Sequence, residues 1–493
     1  MITETILRLA RNQILLIFGL SFLVRIIKIQ DYLFFGFEQG RDLLVIQQIY
    51  QLTDFVLVGP STSIPGLFHG VWYYYLLALP LGVTAGNPLA ASLFLIILGS
   101  FLPVVMYLLA QDMFRSKQWA LVCGIVAIFS YEYILYSRWL SNVSLAPLFA
   151  SLAFLLIWKY IKSRNSKFFL GFIISAGIAT LFQMVLLVQF TFLVFLLIIL
   201  RQLKLPSLKT VVLSILISGL LFGPMILFNF RNQNITLNSL TAFSGERADK
   251  GTDTIFSGLP PYLLQMQTHL TFSVVNIKPL PIQILTLTSI CLGIWVFLKK
   301  RGERKVIILL VSWILMSLPL IIVSPGNPQY YAAIGLGWIM LFCLMLITFW
   351  ESPKLKILSI IFMLLFSVGA VITVKSLLRN EDVFFRTSQD DLNLKHQREI
   401  LALIEQDVKG FSYRLLPFTI PSLQPEGWQY LHSYYYPGAK NNNPDIVYIV
   451  VENNVYEVWE KKWIGDLGET NLAWEKRIGK LRLQKRELKN VTK

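Results

Sequence analysis

The chain of 493 residues is 55% hydrophobic and only 15% charged, where a soluble domain of this size carries about a quarter charged residues. Its apolar residues run in long blocks and its mean hydropathy is +0.60, which excludes an ordinary soluble fold and defines a polytopic membrane protein. The net charge of +16 sits in short links between the blocks, the pattern that fixes membrane topology, so a nucleic-acid partner is not expected. Cys123, Cys291 and Cys343 all lie inside apolar blocks and read as packing residues. The four histidines show no metal-ligand spacing and no phosphate-cradling loop is present, so an ATP-driven pump has no support.

In chain order, spans are predicted near 12–29, 88–111, 119–136, 143–161, 168–183, 184–200, 209–228, 281–298, 306–323, 331–349 and 357–377, about eleven in all. The first is too long for a signal peptide and lacks its cleavage site, so it is kept as a span. The links "DMFRSKQ", "KYIKSRNSK", "RQLKLPSLK", "KKRGERK" and "ESPKLK" are basic, whereas "SRWLSN" and "SPGNPQ" are nearly free of Lys and Arg. Placing the basic links in the cytoplasm puts the N-terminus there too and leaves the chain tail outside. Both flanks of 168–200 are basic, so this block must cross twice, with a break near Gln183.

"VWYYYLLALPLGVTAG" (71–86) would invert every later link if it crossed. It is short, contains Pro80 and opens on three tyrosines that suit an interface, so it is read as an outer surface helix. Residues 30–87 thereby become one long first outer loop, and 231–280 a second that ends in an amphipathic helix. A transmembrane domain over 1–378 is followed by a soluble extracytoplasmic α/β domain over 379–493. There "LNLKHQREILALIEQDV" has helical spacing, and "PDIVYIVVENN" and "KLRLQKREL" read as strands.

Chemistry concentrates in the first outer loop. In a helical "FEQGRDLLVIQQIYQL", Glu38 and Asp42 stand four apart on one face with Arg41 beside them. Such a pair can take a proton or share a divalent cation; the same spacing also suits a solvated helix start favoured by the dipole. His69 follows in a Gly- and Pro-rich turn region, where it could bind an anion or carry a proton, or have no role at all. Arg138, in "YSRWLSN", suits a lipid phosphate, or simply snorkels to headgroups. An acidic, basic and imidazole set at the outer boundary, with few charges inside the spans, fits a substrate with a lipid tail and a polar head. A transporter more often places such groups near the bilayer midplane.

Taken in order, "FEQGRDLLVI", "GPSTSIPGLFHGVWYYYLLALPLG", "NPLAASLFLIILGSFLPVVMYLLAQDMF" and "YSRWLSNVSLAPLF" resemble the GT-C membrane glycosyltransferases, in the branch of protein O-mannosyltransferases and aminoarabinose transferases. The resemblance covers most of the chain. It implies a mainly α, polytopic helical bundle with a small α/β extracytoplasmic C-terminal domain, in the plasma membrane. It implies transfer of a sugar from a polyprenyl-phosphate donor to an acceptor by inverting displacement, with Glu38 at the position of the family's catalytic Asp. Asp42 is the second catalytic candidate. Gln39 stands where the family often has a second acid, so that role is not carried over. The family's Glu-Lys-Pro triplet is replaced by His69-Gly70-Val71, so the lysine that contacts the lipid phosphate is absent and His69 is its suggested substitute, while Tyr330 in "GNPQYYAAI" matches a tyrosine near that phosphate. Arg138, His69 and Arg41 would hold the departing phosphate. No cofactor is required, although a divalent cation between Glu38 and Asp42 is compatible with the scheme. Lipid, glycan and protein acceptors stay open, and the alternative from another class is a transporter or flippase of lipid-linked saccharides.

Overall fold

The structure is a computed structural model that describes residues 2–249, 251–301, 303–380, 392–408, 413–419, 424–437, 446–452 and 457–488. Among the described residues six helices are long and apolar enough to cross a membrane: Pro88–Phe114, Asn142–Ser163, Leu208–Arg231, Leu280–Lys300, Arg304–Val323 and Lys356–Arg379. Lys117–Phe129 and Tyr131–Arg138 form a further candidate bent by 55°, and Asn12–Ile26, Ser166–Phe182, Leu186–Ile199 and Ile334–Trp350 are shorter apolar helices. Every predicted span falls on one of these. The break expected near Gln183 is present, because Gln183 leaves helical geometry at ψ 96° and a new helix starts at Leu186.

Ile334–Trp350 is the axis of the bundle. It is apolar on all sides, and every residue from Ile334 to Phe349 is buried, as expected of a helix surrounded by others. Trp313 stacks on Phe154 at 3.8 Å and donates its indole N–H to the Ala333 carbonyl at 2.8 Å, which ties two more helices to the start of this axis. At the periphery the pattern inverts. Leu208–Arg231 leaves Ile215, Leu216 and Leu220 more than half exposed, a surface suited to lipid and unsuited to water.

The surface helix predicted at 71–86 is Trp72–Val83. Tyr73, Tyr74, Leu77 and Leu81 are buried, while Trp72, Leu79 and Val83 make an exposed apolar stripe on the other side. The Trp72 indole donates to the Leu221 carbonyl at 2.9 Å, so this helix starts alongside the middle of the long apolar helix Leu208–Arg231. The second outer loop departs from expectation. Its polar stretch is helical too, as Ile235–Asp249 followed by Gly251–Leu270, with Pro260 and Pro261 inside the latter.

In the tail, Leu394–Val408 buries Leu394, Gln397, Ile400, Leu401, Ile404 and Val408 along one stripe. Behind it lies a four-stranded sheet of β1 (Arg414–Phe418), β2 (Ile446–Val451), β3 (Thr470–Ile478) and β4 (Leu481–Leu488), in the order β1-β2-β4-β3. β1 and β2 are parallel, and the other two pairings are antiparallel. β2 and β4 were legible in the sequence; β1, β3 and the helices Glu426–Tyr435 and Glu457–Gly465 were not. The expected domain boundary at 378/379 adjoins residues 381–391, outside the described set.

This tail is stitched to the first outer loop. Leu394 N–H donates to the Leu33 carbonyl (2.9 Å), Phe35 N–H to the Leu392 carbonyl (3.1 Å) and the Gln397 amide to the Phe35 carbonyl (2.8 Å). Gly40 lies so close to the backbone of Glu426 and Gly427 that a Cβ there would overlap it.

Candidate active site

The helix Phe37–Tyr50 carries the acidic cluster, and its first turn explains how. Gly36 is the N-cap, and its N–H is satisfied by the Gln39 side-chain oxygen at 3.0 Å. The Gln39 amide nitrogen donates to the Leu140 carbonyl at 3.0 Å, joining this helix to the "SRWLSN" link. An amide is needed here, since a carboxylate could accept from Gly36 but not donate to Leu140. Glu38, second in the helix, is exposed at the positive end of the dipole.

Asp42 differs sharply from Glu38. It is 4% exposed, and one of its oxygens, Oδ1, accepts from Arg41 Nε (3.0 Å), Arg41 Nη2 (2.8 Å) and the Tyr74 hydroxyl (3.0 Å). Burial lifts its pKa to about 6, against the opposing pull of Arg41. Tyr73, 1% exposed beside this network, has a buried hydroxyl with no hydrogen-bond partner. Glu38 and Asp42 thus share a helix face but not an environment: one is free in solvent, the other is committed to Arg41 and Tyr74. The tyrosine run was read as interfacial; its second role, an acceptor partner 32 residues back, has no local signature.

Residues 59–69 form a small hairpin. Gly59 N–H donates to His69 O (2.9 Å), His69 N–H to Pro60 O (2.8 Å) and Thr62 N–H to Leu67 O (2.9 Å). The turn is Ile64-Pro65-Gly66-Leu67, closed by Leu67 N–H on Ile64 O at 3.1 Å, with Gly66 at φ +81° as such a turn requires. His69 ends the hairpin, 9% exposed, with Nδ1 buried and unpartnered. Burial, aided by the nearby charge of Arg41, lowers its pKa to about 4, so at neutral pH it is an uncharged imidazole. It can offer a hydrogen bond to a phosphate but no positive charge.

Tyr330 reaches the same hairpin: its hydroxyl lies 3.0 Å from Ser63 Oγ. It belongs to a short 3₁₀ turn, Pro328–Tyr331, capped by Asn327. Arg138 is placed elsewhere. Its Nη1 donates to the carbonyls of Arg25 (2.8 Å) and Ile27 (2.7 Å), closing the end of the first helix, Ile2–Ile26. The structure therefore brings Glu38, Arg41, Asp42, His69 and Tyr330 onto the first outer loop and its neighbour, with Arg138 anchored behind. Among the described residues no group of three or more His, Cys, Asp or Glu side chains could hold a metal. The chemistry on offer is an exposed carboxylate, a fixed guanidinium, a neutral imidazole and tyrosine hydroxyls.

No protein-family model matches the sequence, and no curated protein sequence matches it. Solved structures do. The crystal structure of ArnT from Cupriavidus metallidurans bound to undecaprenyl phosphate matches with a TM-score of 0.59 at 10% identity, over 96% of this chain and 97% of that chain. The same protein in the apo state matches with a TM-score of 0.55 at 10% identity, over 97% and 98%. The fold is accordingly ArnT-like, a mainly helical bundle with a small C-terminal sheet, as the sequence resemblance implied. It runs essentially end to end in both chains.

Proposed function

We propose that this protein is an integral-membrane glycosyltransferase that moves a sugar from a polyprenyl-phosphate carrier to an acceptor on the extracytoplasmic face. The observation that carries the reading is the exposed Glu38 carboxylate at the start of the first-loop helix, next to an arginine held by a buried carboxylate. It is supported by a fold shared with a protein crystallised with undecaprenyl phosphate. The N-terminus is cytoplasmic, and the first loop and the tail face outward.

In this reading an acceptor O–H or N–H approaches the anomeric carbon while Glu38 takes its proton. The new glycosidic bond forms as the bond from the anomeric carbon to the phosphate oxygen breaks, with inversion. The electron pair leaves on the lipid phosphate, already a stable anion that needs neutralisation more than protonation. Arg41 supplies that positive charge, oriented by Asp42, while His69 and Tyr330 donate hydrogen bonds. Because Arg138 holds carbonyls of the first helix, its contribution is to keep that helix end in place. Lipid, glycan and protein hydroxyl acceptors are all compatible with an exposed base.

The test is transfer from purified protein supplied with polyprenyl-phosphate-linked sugar and envelope extract as acceptor. Glu38→Gln should lower the rate by about a hundredfold or more, the usual worth of a positioned base, while still binding undecaprenyl phosphate. A wild-type rate in that variant refutes the assignment. Movement of lipid-linked sugar across vesicles with no glycosidic bond formed would establish the flippase alternative.

A further inference from the structure

A second polar cluster lies outside the first loop, wholly buried. Glu132 and His269 are both 0% exposed, with His269 Nδ1 2.9 Å from Glu132 Oε1, and the other carboxylate oxygen accepts from the Ser273 hydroxyl. Two irregular helix segments and the start of the axial helix meet there. Glu132 follows the 55° bend between Lys117–Phe129 and Tyr131–Arg138. Ser273 sits in a π-turn, Thr271–Val275, the kind of local widening often found at functional sites. Gly335 presses on the cluster so closely that a Cβ would collide with Ser273 Oγ, the Tyr133 hydroxyl and Glu132 Oε2.

What this cluster braces is the Gln329–Ala333 backbone. It joins a 3₁₀ turn to the start of Ile334–Trp350, and side chains reach four of its five carbonyls. Gln329 O accepts from Tyr136 (3.3 Å) and Gln183 (3.2 Å), Tyr330 O from Gln189 (2.6 Å), Ala332 O from Tyr133 (3.2 Å) and Ala333 O from Trp313 (2.8 Å). Tyr133 and Tyr136 share the short helix with Glu132, and the His269 ring lies 5.3 Å from that of Tyr331. The pair thus holds both the helix that clamps the segment and the ring of Tyr331, the residue that follows Tyr330. A buried polar pair contributes little net stability compared with apolar packing, so its worth here is geometric.

We infer that Glu132 and His269 are positioning residues, which set the Gln329–Ala333 turn so that the Tyr330 hydroxyl meets the first-loop hairpin at the lipid-phosphate end of the donor. This rests on the proposed transfer reaction. The experiment is a cycle of Glu132→Gln, Tyr330→Phe and the double variant, reading donor KM, kcat and, separately, affinity for undecaprenyl phosphate. Glu132→Gln changes the group that His269 and Ser273 bond to, which should raise donor KM about tenfold with kcat little changed. The double variant should be no worse than the worse single one, because both act through the same hydroxyl. Tyr133→Phe, which loses the bond to Ala332 and a backbone bond at Leu336, should shift KM in the same direction by about threefold and covers the event that Glu132→Gln does not fold. Additive effects, or unchanged KM and lipid affinity in folded Glu132→Gln and Tyr133→Phe, overturn the inference. Lipid affinity that follows the cycle in a protein showing no transfer refutes the reaction but upholds the positioning.

Discussion

Asp42→Asn should make the protein more heat-stable at alkaline pH while making it a poorer enzyme. Wild-type Asp42 has its pKa lifted from 3.8 to about 6 by burial, so the folded state favours its neutral form. Between these two values the folded protein binds a proton that the unfolded chain has released. Stability therefore falls as pH rises through the window and stays low above about pH 6. The full cost of the buried charge is about 3 kcal/mol at pH 8, of which about half is relieved at pH 5. For a chain this large, 1 kcal/mol moves Tm by on the order of 1–2 °C. Acidifying from pH 8 to 5 should then raise the wild-type Tm by about 2 °C more than that of Asp42→Asn, compared in one detergent by intrinsic-fluorescence melting. The difference between the variants cancels every other titrating group. In the transfer assay Asp42→Asn should lose rate, because Arg41 loses its anionic anchor at 2.8 Å. Equal pH slopes in the two proteins would refute both the burial argument and the orienting role.

Other expectations test neighbouring contacts. Because burial keeps His69 neutral well above pH 5, affinity for undecaprenyl phosphate should show no His69-dependent step between pH 6 and 8. Titration of wild type against His69→Gln checks this. Gln39→Glu sets a carboxylate against the Leu140 carbonyl and should cost about 1–3 kcal/mol, seen as a lower Tm with Glu38 intact. Gly40→Ala forces Cβ into the Glu426 backbone, an overpacking of about 1–3 kcal/mol, and should speed proteolysis of the tail. Arg138→Ala uncaps the first helix and should lower Tm while leaving undecaprenyl phosphate affinity within about twofold, the reverse of Arg41→Ala.

The bundle was legible because lipid imposes a strong rule: each span must be a long apolar run, and the basic links orient them. The break at Gln183 could be found by charge parity alone. The helix at 394–408 and the strands at 446–451 and 481–488 were legible for the same kind of reason, a clear apolar period. β3 was hidden because nearly all of it is intermediate or exposed, with no alternation to detect. β1 was hidden by Pro417, which marks an edge. Within the site, the residue types and the loop were readable, but their environments were not. Whether a carboxylate is free like Glu38 or buried like Asp42 depends on Tyr74, and the purpose of Glu132 on a histidine 137 residues away.

One physical demand links the two polar clusters. In a bilayer, every carbonyl freed by a helix break must find a donor within the protein. The breaks before Tyr131 and Ile334, the turn after Phe182 and the end of the first helix each expose such carbonyls. Tyr133, Tyr136, Gln183, Gln189 and Trp313 supply the donors before Ile334, Arg138 at the end of the first helix, Arg25 before Tyr131 and Asn142 after Phe182. Most of the polar side chains near the reading's lipid phosphate are thereby already committed to backbone. Among the described residues the groups left to act on a substrate are few: Glu38 in solvent, Arg41 paired with Asp42, the Tyr73 hydroxyl and His69 Nδ1 without hydrogen-bond partners, and Tyr330 beside Ser63. Activity loss after mutation of a polar residue here is therefore diagnostic only for this second group. In the first, lost activity and lost fold arrive together, and only a KM, pH or coupling measurement separates them.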